Sequence, residues 1–181
     1  KISNKNKKNL LYVARHSLKS FLKKGEKPKF GFFDAEIMKK RAVFVSLWGK
    51  YSGELRGCLG HLEPTHPLIE AVSKTAISSA FEDSRFKPLT IDELSKIKIE
   101  INVLSSLKKI LPEEIEIGKH GIYLIQQSFW GVFLPDVPVS QGWDLNKFLD
   151  ELSLKAGLKK GGWKNQGTRL LGFETESWIE N

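Results

Sequence analysis

The sequence contains one cysteine, Cys58, in 181 residues. A disulfide within the chain is therefore impossible, and the composition fits a reducing cytoplasm. No apolar run approaches the ~20 residues of a membrane helix, and no secretory leader pattern is visible. There is no internal repeat, no low-complexity segment and no flexible linker, so the sequence reads as one domain over 1–181 with its core at about 8–178. Acidic residues are scarce in one place only. Residues 1–29 hold ten Lys or Arg against the single acid Glu26, whereas residues 30–181 hold 19 basic and 20 acidic residues. The net charge of +8 is thus a local excess. Aromatics are not interleaved with these charges, as they are in many basic nucleic-acid surfaces.

The N-terminal segment carries Leu10, Leu11, Ala14, Leu18, Phe21 and Leu22 at helical spacing. It predicts an amphipathic helix with a basic outer face packed on the body of the protein. Nucleic-acid binding through this helix is a third-ranked functional reading, and membrane attachment is set aside.

Ala42–Trp48 is a nearly continuous apolar run, the pattern of a strand covered on both faces. Lys50–Gly53 signals a turn, and Glu54–Leu59 completes a hairpin. Thr65 is placed to cap a helix that tolerates Pro67 in its first turn and runs to Phe81–Ser84. Thr90 with Glu93 forms a capping box for a short helix over Ile91–Ser95. Ile97, Ile99, Ile101 and Val103 alternate with polar residues, which predicts a half-buried strand. Residues 105–117 read as loop. Ile122–Ile125 and Trp130–Leu134 read as a second hairpin, Pro135–Val139 as an extended proline-stiffened loop, and Asp144 as the cap of a helix ending at Gly157. Leu170–Trp178 reads as one closing strand. Mixed elements with mostly antiparallel pairing give an α+β fold.

Chemistry concentrates in Gly53–His66, which holds Cys58, His61 and His66. In an extended strand Arg56, Cys58 and Gly60 share one face. A thiolate is the reactive form of cysteine, and Arg56 with the N-terminus of the following helix would lower the thiol pKa. His61, His66 or His120 offers a base. Gly57 and Gly60 would admit a substrate backbone or phosphate. The bland alternative is a buried cysteine acting as a small hydrophobe, with the glycines at a bulge or barrel corner. Asp83 and Arg85 form either a local ion pair or an acid and an anion-binding group facing Cys58. Cys58, His61, Glu63 and His66 include zinc-type ligands, but Pro64 and Pro67 stiffen the segment against metal binding. No metal or other cofactor is expected.

The hexapeptide Leu55-Arg56-Gly57-Cys58-Leu59-Gly60 resembles the L-R-G-C-[IL]-G signature of the AMMECR domain family. Further blocks resemble the family in order. They are Leu10–Leu18, Ala76 with Asp83-Ser84-Arg85-Phe86 (Ser replacing the family's Pro), Pro88–Leu94, Ile99–Leu104, Gly118–Ile122, Leu134–Asp144 and Leu152–Leu158. The resemblance implies an α+β fold with a barrel-like, mostly antiparallel sheet, packed helices and two related, interlocked halves. It implies no settled reaction, and prokaryotic members resemble partners of radical S-adenosylmethionine and Memo-like proteins. The candidate catalytic residues are Cys58, Arg56 and His120, and the candidate substrate-binding residues are Gly57, Gly60, His61, Asp83 and Arg85. These point to an enzyme or a small-ligand or protein-modification site. The alternative is a non-catalytic module that docks a partner through Phe30, Phe32, Phe33 or the Pro135–Pro138 loop.

Overall fold

The computed structural model describes residues 1–31 and 34–181. Phe32 and Phe33, two of the expected docking residues, lie outside the described residues. The chain forms two compact units, Lys1–Leu104 with Glu176–Asn181, and Ser105–Thr175. The α+β class predicted from the element order is what the structure shows. It is built on two four-stranded sheets, and among the described residues neither closes into a barrel.

In the first unit, α1 (Asn4–Lys24) begins where the Ser3 side chain accepts the Asn6 N–H and ends at Gly25 with φ 68°. This left-handed conformation costs glycine little and closes the last turn. Leu10, Val13, Ala14 and Leu18 are fully buried along its inner face. Part of the basic face is already committed. Lys7 pairs with Glu176 at 2.9 Å, and Arg15 grips Glu180 together with the carbonyls of Leu94 and Ile97. These bonds tie the helix to the C-terminal strand, as expected of a helix packed on the protein body.

Strands β1 (Val43–Gly49), β2 (Leu55–His61), β3 (Ile97–Leu104) and β8 (Thr175–Ile179) form the first sheet in the order β2-β1-β3-β8. β1 is antiparallel to both neighbours, with Ser46 opposite Cys58 on one side and Glu100 on the other. Side chains alternate across a strand. Val43, Val45, Leu47, Ile97, Ile99, Ile101 and Val103 therefore face the helices, and they are buried there. Phe44, Ser46, Trp48, Lys98, Glu100 and Asn102 lie on the opposite face. The second face of β1 carries the partly buried aromatics Phe44 and Trp48 around the buried Ser46.

Helix α2 (Leu68–Phe81) follows the hairpin. Thr65 does not cap it. The N-cap is Pro67, without a side-chain hydrogen bond, and the Thr65 hydroxyl meets His66 Nδ1 at 2.8 Å. The Thr90–Glu93 capping box is present and opens a 3-10 helix over Ile91–Lys96.

The second unit carries β4 (Lys108–Lys109), β5 (Gly121–Gln126), β6 (Phe129–Phe133) and β7 (Arg169–Phe173) in the order β4-β7-β5-β6. Two helices accompany them, α3 (Asp136–Gln141) and α4 (Leu145–Lys155). The expected extended loop at Pro135–Val139 is helical because Pro138 falls in the first turn of α3, where a missing N–H costs nothing. Gly142 stops that helix at φ 67°. Asp144 caps α4 by accepting the Lys147 N–H at 2.8 Å. Phe148, Leu149 and Leu152 are buried with Ile122 and Leu124. The predicted closing strand over Leu170–Trp178 is two strands, β7 and β8, in different sheets. The break falls at Glu174, which exchanges backbone and side-chain hydrogen bonds with Ser105. The loop expected over 105–117 holds the two-residue β4 and a 3-10 turn at Pro112–Glu114.

The C-terminal half of α2 is pressed against β2. A β-carbon at Gly57 would collide with the Ser79 carbonyl oxygen. The Ser79 hydroxyl donates to the Val45 carbonyl at 2.8 Å and accepts the Leu59 N–H at 2.9 Å, bridging β1 and β2. Ser79→Ala would strand both backbone groups in the interior. The expected loss is about 2 kcal/mol, read as a lower urea midpoint at unchanged slope. A midpoint equal to wild type would show that the bridge is dispensable.

Candidate ligand site on the signature strand

β2 is an edge strand, so its outer backbone groups need partners from outside the sheet. Asp83, just beyond α2, supplies one. Its Oδ2 accepts the Cys58 N–H at 2.9 Å. The same carboxylate takes the Arg85 side chain through Nε at 3.0 Å and Nη2 at 2.7 Å, and Arg85 Nη2 also donates to the Cys58 carbonyl at 3.3 Å. Asp83 is 6% exposed, while the Arg85 side chain is 57% exposed. The Arg85 hydrogen bonds hold the Asp83 carboxyl down at about 2. Asp83 is therefore an anion at neutral pH. It serves as the ion-pair partner rather than as a proton-donating acid.

Cys58 is half-buried and free. Its Sγ receives the Ser46 hydroxyl at 3.2 Å. Burial is the main influence and pushes the thiol pKa up. The Ser46 hydrogen bond and the Arg85 charge oppose this, and Asp83 and Glu100 reinforce it. The expectation of an acidic thiol is thus reversed. Arg56 does not take the role foreseen for it, and the register with β1 is irregular at its position. It is clamped on Glu93, through Nε to Oε1 at 2.8 Å and Nη2 to Oε2 at 3.1 Å. Nor does the following helix offer its positive end. α2 meets the strand with its C-terminal half, Ser79 against Gly57.

Glu93 was legible only as a cap, and it does both jobs. Its Oε2 also accepts the Thr90 N–H at 2.9 Å. The Arg56 hydrogen bonds hold its pKa down at about 2. Arg56 Nη1 is left buried with no hydrogen-bond partner among the described residues. On the same sheet face Trp48 Nε1 donates to Glu100 at 2.8 Å, and the register sets Cys58, Ser46 and Glu100 in a row across three strands. Ser46 and Glu100 were missed in the sequence. The signal available was their place on the polar alternate of two otherwise apolar strands. Gly60 is filled by the Phe44 ring, where a β-carbon would clash, so it leaves no opening for a ligand.

The histidines are dispersed. His61 alternates with Cys58, lies on the helix side of the sheet, and lines a cavity with His66 and Lys74. His120 belongs to the second unit. Its Nδ1 accepts the Glu116 N–H at 3.0 Å, and it lines a cavity of about 510 Å³ with Lys108, Lys109 and Glu114. Among the described residues no group of three His, Cys, Asp or Glu is placed to hold a metal ion. No helix there is long and apolar enough to cross a membrane.

A profile of the AMMECR1 family matches residues 11–178. The chain belongs to the AMMECR1 family. It is 38% identical to Protein MK0488 of Methanopyrus kandleri, over 94% of this chain and 86% of that one. It is 39% identical to Protein Mbar_A1807 of Methanosarcina barkeri, over 93% and 87%. The crystal structure of the uncharacterised protein PH0010 from Pyrococcus horikoshii superposes with a TM-score of 0.91 at 34% identity, covering 96% of this chain and 90% of that one. The AMMECR1 match spans both compact units and includes the whole signature strand.

Asp83 provides a test of this arrangement. Its folded pKa of about 2 lies below its ordinary 3.8. The stabilisation is thus fully present above about pH 4 and is lost as pH falls through 2. Asp83→Asn is expected to cost roughly 2 kcal/mol at pH 7. The gap from wild type should close between about pH 4 and pH 2 in urea titrations. A pH-independent gap would remove the ion pair as its cause.

Proposed function

We propose that the polar face of the signature strand is a binding site for a small molecule, or a modified side chain, bearing an anionic group. Arg56 and Arg85 would recognise the anion beside the Cys58 thiol. The carrying observation is Arg56 Nη1, a buried guanidinium donor left without a partner while the rest of the group is clamped. An unsatisfied buried donor costs about 1–3 kcal/mol, which a ligand carboxylate or phosphoryl oxygen would recover. Arginine pairs well with such groups. Arg85, half-exposed and fixed by Asp83, would add a second cation at the strand edge. Cys58 stands by as a neutral thiol, the form that burial favours, and a reducing cytoplasm suits it. The family match through both units supports reading the chain as a single domain.

A non-catalytic docking role keeps one support. Phe129 and Trp130 are 44% and 59% exposed, on the edge strand β6. The loop expected to dock a partner is instead α3, where Pro138 is buried.

Alkylation of Cys58 tests the anion site. Iodoacetate carries a carboxylate, and iodoacetamide is its neutral isostere. The expected outcome is a preference for iodoacetate in the native protein, relative to the denatured protein, of about tenfold, which corresponds to roughly 1.4 kcal/mol. The rate should saturate with reagent. Arg56→Gln and Arg85→Gln should each erase the preference. With either reagent the rate should climb only above the ordinary thiol range, because burial raises the pKa. Equal native preferences in wild type and both variants would overturn the anion site. Fast alkylation below pH 7 would restore Cys58 as a resting thiolate.

A further inference from the structure

A second polar cavity, of about 150 Å³, is walled by Arg41, His61, Glu63, His66, Lys74 and Thr75. It lies on the helix side of the first sheet, since His61 alternates with Cys58 along β2. The observation that singles it out is the Thr75 hydroxyl. Thr75 is fully buried, yet its Oγ1 has no hydrogen-bond partner among the described residues. The other buried hydroxyls there are all engaged. Ser17 and Ser153 bond back to the carbonyls of Val13 at 2.7 Å and Leu149 at 2.8 Å, the usual habit of a hydroxyl inside a helix. Ser73 meets Ser17, Ser46 meets Cys58, and Ser79 bridges two strands. Thr75 alone forgoes such a bond, and it does so on the wall of a charged cavity.

The remaining donors are held in place. The Arg41 guanidinium rests on the Leu104 carbonyl through Nε at 3.4 Å and Nη2 at 3.2 Å. The Lys74 ammonium donates to His66 Nε2 at 2.9 Å. That leaves the proton of a neutral His66 on Nδ1, where it meets the Thr65 hydroxyl at 2.8 Å. Two fixed cations thus outnumber the one acid on the wall, Glu63. Neither cation ligates metals, and a volume of about 150 Å³ is below the ~300 Å³ where drug-sized ligand pockets begin.

We infer that this cavity binds a phosphate-type oxyanion, free or as the phosphoryl group of a small ester. The Thr75 hydroxyl donates to one oxygen, and Arg41 and Lys74 neutralise its charge. The site is separate from the proposed thiol-side site and does not depend on it.

The test is calorimetric titration with inorganic phosphate and with glycerol 3-phosphate at matched ionic strength, with chloride as control, beside thermal unfolding. Saturable phosphate binding is expected, with the dissociation constant raised at least tenfold in Lys74→Gln and in Thr75→Val. Thr75→Val preserves the side-chain shape. Its ligand-free melting temperature should equal or exceed that of wild type while its phosphate-induced shift disappears. Glu63→Gln should tighten binding. Glycerol 3-phosphate binding more tightly than phosphate identifies an ester ligand, and the reverse identifies the free ion. The inference fails if phosphate gives no saturable signal up to about 10 mM, or if chloride reproduces the signal. It also fails if either cavity variant titrates as wild type, or if Glu63→Gln weakens binding.

Discussion

The signature strand depends on the carboxylate of Asp83. That one group accepts the backbone N–H of Cys58 on an exposed sheet edge and fixes the Arg85 guanidinium. An edge strand otherwise offers its amides to water or to a foreign strand. Here the loop after α2 covers the amide, and the helix itself presses Ser79 against Gly57. The glycine is required by backbone contact, not by turn geometry. Strand, helix end and loop are held as one piece, so the positions of Cys58 and Arg85 are set by the same ion pair.

Much of the fold was legible because each element carried its own local signal. The alternation of Ile97–Val103, the Thr90–Glu93 capping box and the Asp144 cap each state their geometry within a few residues. Two features were not legible. Pro138 reads as a helix breaker until its position is counted from the start of α3, where it is tolerated. The division of Leu170–Trp178 between two sheets leaves no mark in the periodicity, because the break at Glu174 is set by its distant hydrogen bonds to Ser105.

The geometry around the signature strand was legible in part, and its electrostatics were misread. Arg56, Cys58, Asp83 and Arg85 do gather around one strand, as their spacing and the motif implied. Alternation placed Arg56 beside Cys58, but alternation says nothing of a competing carboxylate thirty-seven residues away. Glu93 already showed its purpose as a cap, and nothing in the sequence marked a second bond. The same alternation, carried three residues beyond Cys58, puts His61 on the other side of the sheet from the thiol.

These pairings decide what the thiol can do. Asp83, with a pKa of about 2, is far too weak a base for a thiol raised above 9.0. Proton transfer from the thiol to this carboxylate is strongly unfavourable. Glu93 is equally acidified by Arg56. The carboxylates that position the strand are therefore unable to activate it, because the bonds that make them good anchors make them poor bases. The two arginines, in turn, spend much of their charge on those anchors. What remains is the half-exposed Arg85 and the unpartnered Nη1 of Arg56, both suited to recognition. Within the same row Ser46 donates its proton to the Cys58 sulfur, and the charge of Glu100 further disfavours the thiolate.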